Sequence, residues 1–181
     1  MDILYFVGLL PPEPIRNEIT KFKEFFDEKY GVRHALKSPP HITMIPPFKW
    51  PEQNEKSLID DLSNFASTET TFPVRLENFG AFSPRVIFVD VVKNDSLEKM
   101  YERLTAWLKD KWRETLKDTD LKRFHPHVTV AFKDLRREHF RDAWPGFRDK
   151  KVNFEFTADG LTLLKHTGSW WKIHFKTAFS A

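Results

Sequence analysis

Residues 39–44 read Pro-Pro-His-Ile-Thr-Met, and residues 125–130 read His-Pro-His-Val-Thr-Val. Pro-His-(Ile or Val)-Thr-apolar therefore occurs twice, once in each half of a 181-residue chain. Each copy alternates polar with apolar side chains, the period of a strand with one buried face. His41 and Thr43 then share one face, as do His127 and Thr129. Ile42, Met44, Val128 and Val130 point the other way, into a core. A pattern repeated once per half predicts two related lobes that each bring one His and one Thr to a shared cleft.

The flanking sequence agrees with that plan. Ile3–Leu10 is an apolar run closed by Pro11-Pro12, and a helix follows from Pro14 to Tyr30, with Gly31 placed to end it. The first motif strand is expected over His41–Pro46, a second helix over Pro51–Phe65, and strands over Phe72–Phe79 and Val86–Val92. Asp95-Ser-Leu-Glu98 reads as a capping box before a helix that carries Leu97, Met100, Tyr101, Leu104, Trp107 and Leu108 to about Lys117. The second motif strand spans His127–Phe132. A short helix over Leu135–Trp144 should stop at Pro145-Gly146. Strands are expected at Val152–Phe156, Gly160–Lys165 and Ser169–Thr177, the last two joined by a turn at Thr167-Gly168.

Strand–helix–motif strand–helix–strands thus recurs, with no linker or low-complexity tract between the halves. The expected fold is α+β: a duplicated, pseudo-two-fold bilobal unit over residues 1–181, with mixed or antiparallel sheets backed by outer helices around a central cleft.

Composition narrows the function. The chain carries 18 Phe and 6 Trp, most of which must be core. It has no Cys, which excludes disulfides and cysteine-based metal or redox sites. A net charge of +3 is compatible with a phosphate-bearing ligand and far from the dense charge of a duplex binder. The N-terminal apolar run is short and lacks a preceding basic region, so it reads as a buried strand rather than a signal sequence, and no stretch is long enough to span a membrane. The expectation is a cytoplasmic, monomeric protein without a membrane or obligate protein partner.

Two imidazoles across one cleft suit acid–base chemistry at phosphorus, because near neutral pH one can act as base while the other acts as acid. Hydroxyls at i+2 can donate hydrogen bonds to non-bridging phosphate oxygens. A lone strand histidine is usually structural, but two copies in matching contexts favour a shared site. A zinc site would need more ligands than these two histidines supply. No cofactor and no metal is called for.

The paired His-x-Thr-apolar motifs, in a chain of this length with an opening strand ending in Leu-Pro-Pro, resemble the two-histidine (2H) phosphoesterase superfamily. That superfamily includes the LigT-like RNA 2',3'-cyclic phosphodiesterases, also called 2'-5' RNA ligases. The resemblance implies hydrolysis of a 2',3'-cyclic phosphate, on RNA ends or a small cyclic nucleotide, to a 2'-phosphate. It makes His41 the general acid, His127 the general base, and Thr43 and Thr129 the phosphate-binding hydroxyls. The chemistry works equally well with the two histidines exchanged. Ala131-Phe132-Lys133 stands where many LigT-type chains have a small residue and Arg, which marks a divergent branch. A non-catalytic RNA- or nucleotide-binding module, and a hydrolase of another cyclic phosphate such as ADP-ribose cyclic phosphate, are the competing readings.

Among secondary candidates, Lys133 and Arg85 could contact phosphate or could simply be solvated. Phe48 could stack on a base, although core packing is the plainer role. His125 is read as a neighbour of His127, and His34, His139, His166 and His174 as structural or exposed. One of Trp170 and Trp171 should be exposed, and the run at 109–114 should form a mixed-charge helix face.

Overall fold

A computed structural model describes residues 1–116, 121 and 124–180. The first half contains β1 (Asp2–Leu9), α1 (Glu13–Tyr30), β2 (Ile42–Pro51), α2 (Glu55–Ala66), β3 (Phe72–Phe82) and β4 (Val86–Val91). The second contains α3 (Asp95–Lys111), α4 (Arg113–Leu116), β5 (His127–Ala131), α5 (Arg137–Asp149), β6 (Asn153–Ala158), β7 (Thr162–His166) and β8 (Trp171–Lys176). The strands form two four-stranded sheets, ordered β2-β1-β7-β8 and β5-β4-β3-β6. Every ladder between named strands is antiparallel.

The α+β fold with two sheets agrees with the sequence, but the halves of the chain are not the halves of the molecule. The C-terminal β7–β8 hairpin returns to pair with β1, while β3 and β4, from the first half, join the second sheet. One hydrophobic cluster runs through both sheets and the helices, from Tyr5 and Val7 to Phe156 and Leu163. The phenylalanines concentrate where α1 and α5 meet β3. Phe147 stacks on Phe26 with centroids 4.9 Å apart and meets Phe79 edge-on at 4.9 Å.

That packing explains the main departure from the expected elements. α5 does not stop at Pro145-Gly146 but continues to Asp149 with Pro145 inside it. Phe140, Ala143 and Phe147 form one buried stripe. Ending the helix at Trp144 would expose Phe147, so tertiary burial outweighs the roughly 3 kcal/mol cost of an interior proline. The cap of α3 is Asn94 rather than Asp95, and its side chain accepts from the Leu97 amide at 3.0 Å. α3 ends at Lys111; Lys117, the expected end, lies outside the described residues. Nor is the 109–114 run only a charged face. Trp112 is buried and donates to Asp61 at 2.9 Å, tying α3 to α2.

β2 is longer than expected, running through Pro46-Pro47 to Pro51, and α2 correspondingly starts at Glu55. The prolines are tolerated because β2 is an edge strand and bulges there, with Tyr5 paired to Phe48 and Val7 to Ile45. Phe48 is 3% exposed and packs on Trp112, so it is core.

Glu55 anchors α2 to the first sheet. Its carboxylate accepts from the Tyr5 hydroxyl at 2.5 Å and from Lys165 at 2.7 Å, and it lies 3.0 Å from His174 Nε2. Desolvation opposes its ionisation, but the hydrogen bonds from Lys165, Tyr5 and His174 win and hold its pKa near 2, against 4.5 when unperturbed. A depressed carboxylate pKa contributes stability that is present above about 4.5 and is lost as pH falls toward 2. Glu55→Gln is expected to cost about 3 kcal/mol at pH 7. In urea titrations the deficit should shrink as the pH approaches 2, and a pH-independent deficit would rule out this origin.

Candidate active site

The two motif strands occupy equivalent places. β2 is the outer strand of the first sheet and β5 the outer strand of the second, and these two edges contact each other. Ile42, Met44, Val128 and Val130 are buried, whereas Thr43, Thr129, His41 and His127 are half-buried, the alternation expected from the sequence. His41 immediately precedes β2 and His127 opens β5. The charge on His127 disfavours protonation of His41, so the two rings share one electrostatic environment.

Both strands also carry the same irregularity. Gly8 pairs with Thr43 and Val7 with Ile45, so Met44 is an extra residue. Phe88 pairs with Thr129 and Ile87 with Ala131, so Val130 is the extra one. Each motif therefore bulges at the apolar residue just after its threonine. A bulge bends the strand and deepens its twist, which re-aims the neighbouring side chains.

The imidazoles are held identically. His41 Nδ1 lies 2.7 Å from the carbonyl oxygen of Pro39, and His127 Nδ1 lies 2.6 Å from that of His125. A carbonyl only accepts, so in both rings the proton sits on Nδ1 and the neutral imidazole keeps its lone pair on Nε2. The acceptor is two residues upstream in both cases and immediately precedes a proline, which restricts that residue to extended conformations. The Pro before each motif histidine thus sets the carbonyl that sets the tautomer. His125 contributes through its backbone.

An aromatic ring backs each histidine from the adjacent inner strand. Phe6 of β1 lies 4.5 Å from His41, and Phe88 of β4 lies 4.8 Å from His127. Phe82, 43% exposed, also meets His127, edge-on at 5.2 Å. Gly80 makes room for Phe88, since a Cβ there would come within 2.4 Å of the ring. Gly80→Ala is expected to lose roughly 1–3 kcal/mol of stability by thermal unfolding and to displace the ring behind His127. An unchanged melting temperature would mean that Phe88 has room to move.

Burial dominates the titration of both histidines. Desolvation lowers His41 to about 4, against 6.5 when unperturbed, and the Pro39 hydrogen bond only partly offsets it. Desolvation lowers His127 as well, opposed by the His125 carbonyl and by Asp90. Among the described residues neither the Thr43 nor the Thr129 hydroxyl has a hydrogen-bond partner, whereas Thr20, Thr68 and Thr105 all bond back to helix carbonyls. Among the described residues, no three His, Cys, Asp or Glu side chains gather as a metal site would require.

No motif singles out Lys23. It is 2% exposed, and its Nζ donates to the carbonyls of Ala35 at 3.0 Å and Ser38 at 2.9 Å. Those bonds tie α1 to the segment that delivers Pro39 and His41. Burial lowers its pKa to about 7, and its charge further disfavours a proton on His41. The available signal is a lysine on the Ile19–Phe26 stripe of α1, where an apolar residue belongs. Lys23→Met is expected to raise the His41 pKa toward 6.5 in an NMR titration, because it removes a like charge. An unchanged value would mean that the charge does not reach the ring.

The remaining candidates take ordinary places. His34 meets Phe132 edge-on, His139 stacks on Tyr30, His166 lies against Trp171, and His174 joins the Glu55 cluster. Trp170 is exposed outside β8, while Trp171 packs on Phe6. Arg85 and Lys133, unrelated in sequence, line one pocket.

Two antiparallel sheets whose facing edges each present a His-x-Thr motif define the class of two-histidine phosphoesterases. The chain belongs to the 2'-5' RNA ligase superfamily, whose family model matches residues 11–170. It is 29% identical over 170 residues to a provisionally named phosphoesterase of Geobacillus sp. (strain WCH70), covering 92% of this chain and 91% of that one. A counterpart in Geobacillus kaustophilus is 28% identical over 170 residues, with 92% and 91% covered. Among solved structures, TT0787 of Thermus thermophilus superposes with a TM-score of 0.70 at 21% identity, covering 97% of both chains. Escherichia coli LigT complexed with 3'-AMP superposes with a TM-score of 0.64 at 14% identity, covering 99% of both. At these identities the two structures establish the fold. Among the described residues no helix is long and apolar enough to cross a membrane.

Proposed function

We propose that this protein is a metal-independent phosphodiesterase that opens a 2',3'-cyclic phosphate, on RNA ends or small nucleotides, to leave a 2'-phosphate. The observation that carries this reading is the matched pair of Nδ1-anchored histidines, each followed two residues on by a threonine hydroxyl with no hydrogen-bond partner among the described residues. A pure binding module has no need of two titratable groups held in one tautomer. The LigT complex with 3'-AMP supports a nucleotide as the ligand class.

In the proposed reaction His127 Nε2 takes a proton from water as its oxygen attacks phosphorus. The bond from phosphorus to the ribose 3'-oxygen breaks, and His41 gives its proton to that oxygen. Thr43 and Thr129 donate to the non-bridging oxygens, where negative charge gathers. Water and the cyclic diester become a 2'-phosphate and a free 3'-hydroxyl, and exchange with solvent resets both rings. With the 5'-hydroxyl of a second RNA end attacking in place of water, the same displacement would break the same bond to the 3'-oxygen and join the two ends through a 2'-5' linkage. The acid and base parts follow the family resemblance. In the empty site His41 is neutral at pH 7, so the acid role requires the anionic substrate to stabilise its proton.

A consequence for pH dependence follows. A required base loses activity as pH falls through its pKa, and a required acid as pH rises through its own. The profile of kcat/KM reports the free enzyme, in which both histidines lie below 6.5. It is expected to be a bell with its maximum between about pH 4 and 6.5. The kcat profile should be displaced to higher pH by the bound anion. A kcat/KM plateau extending unchanged above about pH 8 would contradict two-histidine catalysis.

A further inference from the structure

Beyond the histidines, a cluster of positive charge lies at the far end of β5. A pocket of about 660 Å³ opens there, lined by Arg85 from the β3–β4 turn, Lys133 from the β5–α5 connection, and Arg136 and Arg137 at the start of α5. Two carboxylates also line it and offset part of that charge. Asp134 accepts from the Arg33 and His34 amides at 3.0 Å, and Glu138 lies 3.9 Å from Arg136. Arg85, Lys133 and Arg137 have no ion-pair partner among the described residues. Lys133 is held at a φ of 61°, where a non-glycine residue is strained by about 1–3 kcal/mol. Desolvation lowers the pKa of His34, with Lys133 adding to the shift and Asp134 opposing it.

The pocket is joined to the histidine site in two ways. β5 runs from His127 to the pocket, about 13 Å along the strand at roughly 3.3 Å per residue. The turn that presents Arg85 also presents the exposed Phe82, whose ring meets His127, and the Arg85 amide closes that turn by donating to the Phe82 carbonyl at 2.9 Å. An exposed aromatic ring followed by a cationic pocket is a base-stacking step followed by a phosphate step.

We infer that the Arg85–Lys133–Arg137 pocket binds an internal phosphate of single-stranded RNA whose end lies at the two histidines, so that the protein prefers an oligonucleotide to a mononucleotide. This rests on the proposed reading of the histidine site. Arginine suits the task because its planar fork meets phosphate oxygens bidentately. None of these cations touches the histidines or threonines, so they contribute through affinity alone.

The test is equilibrium binding of a 5'-labelled single-stranded oligoribonucleotide to wild type and to the double variant Arg85→Gln/Arg137→Gln, followed by fluorescence anisotropy over a range of salt. Both residues are exposed, and circular dichroism checks folding. The double variant is expected to bind roughly tenfold more weakly at low salt, with the log–log salt slope reduced by about 0.7 for each phosphate that is no longer neutralised. Affinity for 3'-AMP should not change. Unchanged oligonucleotide affinity and slope would overturn the inference. So would equal weakening of a polyglutamate peptide of matched charge, which would make the pocket a protein-facing surface. Because the readout is binding, absence of turnover by the wild type would defeat the catalytic reading without touching this result.

Discussion

His41→Ala and His127→Ala are each expected to lower kcat by roughly 10²–10⁴-fold, the usual effect of a positioned acid or base. KM should move little, because neither imidazole is needed to hold the rest of the nucleotide. Both rings are half-buried at strand starts, hydrogen-bonded through Nδ1 and backed by Phe6 or Phe88, so alanine removes no fully buried core side chain. The variants should therefore fold, which near-ultraviolet circular dichroism would verify. The double variant should be scarcely worse than the slower single one, because groups that act together in one transition state are strongly non-additive. Full turnover in either folded single variant would sink the two-histidine mechanism.

Thr43→Val and Thr129→Val form the second large expected effect. Valine keeps the branched shape, and neither hydroxyl bonds to a described residue, so stability should hardly change. Each variant is expected to lose roughly 10²–10³-fold in kcat, as when one donor to a developing oxyanion is removed. Loss confined to KM, with kcat intact, would mean that the hydroxyls bind the ground-state phosphate without favouring the transition state. The two threonines sit at matching positions before matching bulges, so their losses should be of similar size.

Much of the site is legible from two short stretches. The alternation in His41–Met44 and His127–Val130 correctly assigns four buried and four half-buried positions. The proline before each motif is visible as a strand-start signal, but its larger effect is not, because it acts by fixing a carbonyl and only coordinates show a side chain reaching back to it. The paired bulges are hidden for a related reason. A bulge is a property of the partner strand's register, and neither Gly8 nor Phe88 announces one. A fainter sign lies in the Phe-Val pairs at 6–7 and 88–89, which place the backing rings on the strands beside each motif.

What local sequence misses is tertiary. Pro145-Gly146 is a sound local stop signal, overruled by the space that Phe147 fills between Phe26 and Phe79. The return of β7–β8 to the first sheet cannot be read from a repeat that places one motif in each half, because pairing partners far apart in sequence leave no local mark. Lys23 escapes notice because lysines on helices are usually solvated, and this one is buried by a segment contributed from beyond Val32.

The most direct measurement is ³¹P NMR of a 2',3'-cyclic mononucleotide incubated with the purified protein in EDTA. A single new resonance identified as the 2'-phosphate, absent with the His41→Ala/His127→Ala protein, is the expected result. A 3'-phosphate product, or turnover that EDTA abolishes, would contradict the proposed mechanism.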